Sequence, residues 1–247
     1  MSLAAGPPPI SAPVRHRSTR DRPAKAPLSE DAVVDAGLAI LRSDGLEAVT
    51  MRRVAAALDT GAASLYVYVS GREGLLQAML DRVTATIELE APDPSRWRAQ
   101  LHSLLQRTRQ ALVAHPGIAA MTLADPPTTE AVLRLTENLL GILLAGGLDP
   151  QDAAWACDIF VLLVTAATRE CDMRRPRGRR DDDGHQEQVN ELYKTFAGVA
   201  PERFPLIAAH AAQMVAGDGD ERFRFAIDVV IDGVVARAAR RLPVPPG

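Results

Sequence analysis

The sequence predicts an all-α fold, with a short N-terminal helical domain followed by a larger C-terminal helical domain. Hydrophobic residues make up 47% of the 247 residues and aromatic residues only 4%, which indicates an aliphatic core. Long segments place apolar residues three and four positions apart, the spacing of one helix face. Capping residues and Gly or Pro stops divide these segments into separate helices.

Composition excludes several classes of protein. The net charge is −3, so overall charge does not indicate a nucleic-acid partner. Cys157 and Cys171 fall 14 residues apart on one predicted helix, roughly 21 Å along its axis, which is beyond disulfide reach. Two buried thiols in a reducing cytoplasm are expected. No segment is predicted to span a membrane, and the first residues lack a secretion signal.

Residues 1–27 are predicted to be a disordered, Pro-rich tail. The tail contains six prolines and no hydrophobic periodicity, a composition that does not support a packed core. Its basic residues are Arg15, Arg17, Arg20, Arg22 and Lys25, and its only acid is Asp21. Two interpretations stay open: a solvated tail, or an arm that adds phosphate or minor-groove contacts to a DNA-binding domain.

Residues 28–90 are predicted to hold short helices around one tight turn. Ser29 is placed to cap a first helix that ends before Gly45. Thr50 is placed to cap a second helix, which the segment 59–61, Asp-Thr-Gly, ends after two turns. A third, equally short helix begins near Ala62.

Two short helices joined by a small-residue turn are typical of a helix-turn-helix, whose second helix enters the major groove of DNA. Ser64, Tyr66 and Tyr68 carry groups that can bond bases or phosphates, and Arg52 and Arg72 can pair with phosphates. Periodicity alone leaves open an ordinary helical hairpin with solvated polar residues.

Residues 28–80 resemble the N-terminal domain of the tetracycline-repressor (TetR) family of transcriptional regulators. The resemblance is carried by Gly45-Leu46, Thr50-Met51-Arg52, Val54-Ala55, the segment SLYVYV at 64–69 and the segment REGLL at 72–76.

The resemblance implies a role for each matching residue. Thr50 and Arg52 would contact the DNA backbone or an adjacent base, and Ser64 would face the bases. Tyr66 would contact a phosphate. Tyr68 stands where the family often has His or Tyr, and Arg72 is the basic residue that opens the fourth helix. The sequence departs from the family at Asp59, where Gly is common, and at Ala62 and Ala63, which lack polar side chains.

The larger domain is predicted over 95–243, after a fourth helix over 71–89 and a Pro-containing boundary. The helices over 151–173 and 220–241 are apolar on several faces, which predicts burial against both the chain's own core and a partner subunit. Two such helices from each of two chains form a four-helix bundle. A homodimer through these helices is therefore expected, and the resemblance implies the same dimer.

A ligand pocket is the remaining candidate site. Asp158, Thr165, Arg169 and Asp172 share one face of the predicted 151–173 helix, either as a solvated stripe or intersubunit ion pair, or as polar anchors in an apolar pocket. The proposed walls, which can equally be core, are Trp97, Leu104, Met121, Trp155 and Phe160. The resemblance implies that an effector bound here weakens DNA binding, and a mainly apolar pocket favours a hydrophobic or amphipathic effector.

No catalytic, metal or cofactor motif is present in the sequence, and the segment 174–184 is predicted to be an exposed loop. The leading hypothesis is a homodimeric, ligand-responsive regulator, most simply a repressor of a palindromic operator. The alternatives are an architectural DNA-binding protein without an effector and a helical enzyme or interaction protein.

Overall fold

A computed structural model of the chain describes residues 27–123, 129–174 and 182–241. Over these residues the fold contains helices and no strands, which confirms the all-α prediction. The predicted tail, except its last residue, and most of the loop predicted over 174–184 lie outside the described residues.

Ten α-helices occur in the described residues, with two short 3₁₀ segments, Leu46–Ala48 and Ile118–Leu123. The α-helices are α1 (Glu30–Asp44), α2 (Met51–Ala57), α3 (Ala62–Leu65), α4 (Arg72–Ala85), α5 (Trp97–Val113), α6 (Glu130–Ala145), α7 (Pro150–Arg174), α8 (Asp182–Ala197), α9 (Pro205–Val215) and α10 (Gly219–Arg241).

The first two helices begin at the predicted caps. The Ser29 hydroxyl accepts a hydrogen bond from the backbone N–H of Ala32 at 3.2 Å. The Thr50 hydroxyl accepts one from the N–H of Arg53 at 3.2 Å. Each cap satisfies an N–H that the helix itself leaves without a partner, so both helix starts are encoded locally.

Helix α4 is shorter than predicted. It ends at Ala85 instead of residue 89, so its 14 residues span about 21 Å. The Thr86 hydroxyl donates to the carbonyl of Val83 at 2.7 Å, a side-chain bond that competes with helix continuation. Ile87 remains buried beyond the helix end, and this apolar residue accounts for the overlong prediction.

Ser95 is of a residue type that often caps a helix, but the cap position of α5 is Arg96. The helix begins at Trp97, because Ser95 is engaged elsewhere: its N–H and its hydroxyl both donate to the carboxylate of Asp93, at 2.8 and 2.7 Å. The Ser95 hydroxyl bond is the main reason that the pKa of Asp93 lies below its usual value.

Helix α7 is the central helix of the larger domain. It packs against α5, α6, α10 and the segment Ile118–Leu123, and Phe160 and Ala153 on it are fully buried. By length and composition α7 is also long and apolar enough to cross a membrane, contrary to the sequence expectation. Its packing on several sides is that of a core helix.

Burial of α7 on every face is not observed within one chain. Its outer face exposes Trp155, Ile159 and Leu162, and α10 exposes Phe225 and Val229. The two exposed apolar faces belong to helices that pack on each other. They therefore form the surface on which the sequence predicted a second subunit.

Candidate nucleic-acid interface and ligand cavity

The surface of the helix-turn-helix is built on two buried anchors. Leu65 and Val69 are buried beneath α3 and the turn that follows it. Their burial turns the other side of the segment outward, where Tyr66 is 59% exposed and Val67 is 81% exposed. Ser64 is exposed on the same short segment, so the predicted contact residues Ser64 and Tyr66 lie on one solvent-facing surface.

Helix α2 contributes its N-terminus and one arginine. Thr50 and Arg52 are both exposed. The neighbouring Arg53 forms an ion pair with Asp44 at the end of α1, whereas no ion pair of Arg52 was found within the described residues. Arg52 is therefore the arginine of this helix whose charge is not matched by a nearby carboxylate.

Tyr68 and Arg72 bond to their own chain. The Tyr68 hydroxyl donates to the carbonyl of Leu28 at 2.8 Å. The Arg72 guanidinium donates to the carbonyl of Val49 at 2.8 Å and to that of Leu46 at 3.1 Å. These bonds join the chain before α1 to the turn after α3, and the start of α4 to the turn before α2.

The turn between α2 and α3 explains a departure from the family pattern. Asp59 has φ +50°, the left-handed region that Gly adopts at low cost and that Asp tolerates better than most residues. An aspartate can therefore replace the usual glycine without changing the turn.

A cavity of about 460 Å³ lies in the larger domain and reaches α4. Its walls come from α4, α5, α6, α7 and the segment around Met121. Five predicted pocket residues line it: Leu104, Met121, Asp158, Phe160 and Thr165. The cavity is mainly aliphatic.

Three predicted pocket residues lie elsewhere. The Trp97 ring packs at the end of α6, within 2.5 Å of the point where a side chain on Gly146 would begin. Trp155 is half-exposed on the outer face of α7, beneath the Arg237 guanidinium at 5.9 Å. Arg169 is exposed near the end of α7. Helical spacing groups residues by face, but it does not show which face meets a cavity.

The polar residues predicted to share one face of α7 lie in different surroundings. Thr165 is buried and its hydroxyl lies 2.8 Å from that of Thr122. Asp172 accepts a hydrogen bond from the N–H of Gly117 at 2.8 Å. Asp158 is exposed at the cavity wall. Thr165 and Asp158 therefore lie at the cavity wall, whereas Asp172 links α7 to the turn after α5.

The sequence prediction missed the contributions of α4 and α6. Gln77, Leu80 and Thr84 of α4 line the cavity, at the spacing of one helix face. Thr136 and Leu139 of α6 form part of the opposite wall. Threonine in otherwise apolar segments was the available signal, because six cavity residues are threonines: Thr84, Thr108, Thr122, Thr129, Thr136 and Thr165.

The cavity also contains one cysteine. Burial raises the pKa of the Cys157 thiol to about 11, and the nearby Asp158 carboxylate acts in the same direction. Cys157 is therefore a neutral, apolar wall residue. The described residues include no cluster of three or more His, Cys, Asp or Glu side chains that could hold a metal ion.

Helix α4 connects the cavity to the helix-turn-helix. Its first residue, Arg72, bonds the turn before α2, and Gln77 already belongs to the cavity wall. Further along, Asp81 accepts a hydrogen bond from the N–H of Ala131 at the start of α6, at 2.9 Å. Arg82 pairs with Asp31 and Asp35 of α1. One helix thus contacts both the DNA-binding segment and the ligand cavity.

A second contact runs through the turn after α5. Gly117 has φ +90°, and a side chain there would begin 3.1 Å from the β-carbon of Leu46. The same glycine donates to Asp172 of α7. Leu46 in turn supplies a carbonyl to Arg72. The end of α7 is therefore connected to the segment before α2 through Gly117 and Leu46.

An exposed helix-turn-helix joined by one helix to a cavity-containing helical domain is the architecture of a ligand-responsive DNA-binding regulator. Two family models match the chain: "Bacterial regulatory proteins, tetR family" over residues 33–79 and "Tetracyclin repressor-like, C-terminal domain" over residues 91–238.

Similar proteins agree with these models. The transcriptional repressor DrrR1 of Streptomyces coeruleorubidus is 32% identical over 231 residues, which cover 90% of this chain and 84% of DrrR1. The class E tetracycline repressor protein of Escherichia coli is 30% identical, over 89% of this chain and 97% of that protein. Streptomyces coelicolor ActR in complex with actinorhodin is similar in structure, with a TM-score of 0.78 and 30% identity over 86% of this chain and 98% of ActR.

The chain belongs to the TetR family of transcriptional regulators. Members of this family are soluble, ligand-responsive DNA-binding regulators that act as dimers, and the family is regulatory rather than enzymatic. The hypothesis drawn from the sequence is confirmed at this level.

Proposed function

We propose that this protein is a cytoplasmic, homodimeric repressor that binds a palindromic operator and leaves it when a small effector occupies the cavity between α4, α5, α6 and α7. The observation that carries the proposal is the double role of α4. Its first residue bonds the backbone before the DNA-binding helices, and five residues later it becomes a wall of the cavity. A ligand that displaces this wall displaces the DNA-binding helices attached to it.

Four exposed residues are proposed to contact DNA. Ser64, at the start of the recognition segment, faces base edges in the major groove, and Tyr66 bonds a phosphate. Thr50 and Arg52 bond the backbone beside the groove. Exposure of all four side chains supports these roles.

Tyr68 and Arg72 are assigned a different role from the one that the family resemblance implies. Both are proposed to hold the recognition segment in place through their bonds to backbone carbonyls. Arg72 is also exposed, so its unbonded N–H groups stay within reach of a phosphate.

The dimer is proposed to form through the exposed apolar faces of α7 and α10. Trp155, Ile159 and Leu162 are exposed on α7, and Phe225 and Val229 are exposed on α10, a helix that packs against α7. Burial of these side chains stabilises association by the hydrophobic effect. Packing of two helices from each chain forms a four-helix bundle. A two-fold axis then relates the DNA-binding domains of the two subunits, which is why a palindromic operator is expected.

The names of relatives support this proposal. DrrR1 is a transcriptional repressor, and ActR was solved with actinorhodin bound. An architectural DNA-binding protein would need neither the cavity nor its connection to the DNA-binding domain. The geometry therefore favours a ligand-responsive regulator.

The test measures DNA affinity and thermal stability together. Binding to duplex DNA should weaken steeply as salt rises, because cationic contacts to phosphates release counterions. In a panel of small molecules, a compound that raises the melting temperature should also weaken binding to the operator. Stabilising ligands that all leave operator affinity unchanged would support the architectural alternative.

A further inference from the structure

The polar groups of the cavity wall favour one chemistry in the ligand. Six threonine hydroxyls, the Gln77 amide and the Asp158 carboxylate interrupt an otherwise apolar surface. No described residue of this wall is Lys, Arg or His. A ligand carboxylate, phosphate or sulfonate would therefore lose its hydration without gaining a cationic partner, which is costly.

Most of the hydroxyl hydrogens are already committed to the protein. Thr108 donates to the carbonyl of Leu104 at 2.8 Å, and Thr136 donates to the carbonyl of Val132 at 2.9 Å. A threonine hydroxyl has one hydrogen and two acceptor lone pairs. Once the hydrogen is used within the helix, the oxygen can only accept from a ligand.

The hydroxyl hydrogens of Thr122 and Thr165 are also used within the protein. Thr122 donates to the carbonyl of Ala119 at 2.8 Å, and the hydroxyl of Thr165 lies 2.8 Å from that of Thr122. Because Thr122 uses its hydrogen on the carbonyl, Thr165 is the donor between the two hydroxyls. Both oxygens keep acceptor lone pairs, and neither keeps a hydrogen.

Asp158 adds an acceptor that also carries negative charge. Donors are fewer on this wall: the Gln77 amide nitrogen, the Thr84 hydroxyl, and the hydroxyl of Thr129, whose oxygen is buried with no hydrogen-bond partner in the described structure. Acceptors therefore outnumber donors, and the only formal charge among the described wall residues is negative.

We infer that the effector is a neutral or cationic, mainly apolar molecule that presents hydrogen-bond donors, such as hydroxyl or ammonium groups, and that the cavity discriminates against anionic acids. The inference rests on the proposed function, because it concerns the same cavity. It names the class of effector that this wall recognises.

Four compounds with the same ten-carbon chain separate the possibilities. Decanol offers a hydroxyl donor, decylamine a cationic donor, decyl methyl ether an acceptor only, and decanoate an anion. Calorimetry or displacement of the neutral dye Nile red from the intact protein measures their affinities. Decanol and decylamine should each bind roughly three- to tenfold tighter than the ether, the effect of about one hydrogen bond, and decanoate should bind weakest.

Variants assign the preference to the wall. Thr136→Val keeps the side-chain shape but removes an acceptor, so it should reduce the advantage of decanol over the ether. Asp158→Asn should reduce the advantage of decylamine and leave that of decanol. Thr195→Val is the matched control, because the Thr195 hydroxyl makes the same bond to a helix carbonyl, 2.9 Å from Glu191, on the exposed surface of α8. It should change neither preference.

The outcomes separate this inference from the proposed function. Tightest binding by decanoate, or equal binding of all four compounds, would overturn the inference while the cavity remains a ligand site. Failure of all four compounds to bind, with DNA binding intact, would count against both the inference and the effector role. Loss of the decanol preference in the control variant would place the bound compound outside the cavity.

Discussion

The turn at Gly117 provides a sharp test of how the two domains are connected. Gly117→Ala places a β-carbon 3.1 Å from that of Leu46 in a backbone conformation with φ +90°. Gly147→Ala is the matched control, because Gly147 has φ +81° and no atom within 4 Å of the added carbon. The two variants share the backbone strain, and only the first one adds the contact.

The expected magnitudes differ by the cost of that contact. A left-handed conformation costs a residue with a side chain about 1–2 kcal/mol, which is the whole effect expected for Gly147→Ala. Crowding a packed site adds about 1–3 kcal/mol, so Gly117→Ala should lose about 2–5 kcal/mol of unfolding free energy. Denaturant unfolding at one fixed protein concentration measures both values.

The contact should also affect DNA binding. A shift of Leu46 moves the carbonyl that Arg72 bonds and the segment that leads into α2. Operator affinity, measured by fluorescence anisotropy, should therefore fall roughly threefold or more for Gly117→Ala, or about 0.7 kcal/mol or more. The Gly147 variant should keep its affinity. Equal stability losses with unchanged operator affinity in both variants would refute the proposed connection.

Three further predictions concern single side chains. Tyr66→Ala should weaken binding to all DNA sequences, whereas Ser64→Ala should change sequence preference more; uniform loss in both would exclude base contacts by Ser64. Asp81→Ala should lower the unfolding free energy by about 1 kcal/mol, because it removes the acceptor at the start of α6; a melting curve identical to the wild type would contradict this. Because burial raises its pKa to about 11, Cys157 should be only about 0.01% thiolate at pH 7. Iodoacetamide followed by mass spectrometry should label the less buried Cys171 first, and faster labelling of Cys157 would be the contrary result.

Local signals in the sequence were sufficient for the helical framework. Ser29 and Thr50 cap their helices as predicted, because a capping hydroxyl acts on an N–H only three residues away. The end of α4 was less predictable, because the buried Ile87 continues the apolar pattern while the backbone has already left the helix. Hydrophobic periodicity follows burial, and burial continues past the end of α4.

The DNA-binding surface and the cavity were predicted only in part, because some of their contacts join residues far apart in the sequence. The position of Ser64 and Tyr66 follows from their place on a short helix next to buried anchors. The internal bonds of Tyr68 and Arg72 depend on Leu28 and Val49, residues 40 and 23 positions away, which no local pattern reveals. The cavity likewise depends on how four helices meet. Trp97 and Trp155 were predicted as possible pocket walls, but the Trp97 ring packs at a helix end and Trp155 lies at the surface.

Selection of bound duplexes from a random DNA pool tests the central proposal most directly. The protein as a dimer should enrich a palindrome whose half-sites lie about one helical turn apart, about 34 Å, or a multiple of that distance. The enriched duplex would also serve as the operator in the affinity measurements above. A pool without enrichment, or one enriched in single half-sites without two-fold symmetry, would contradict the account of a dimeric operator-binding repressor.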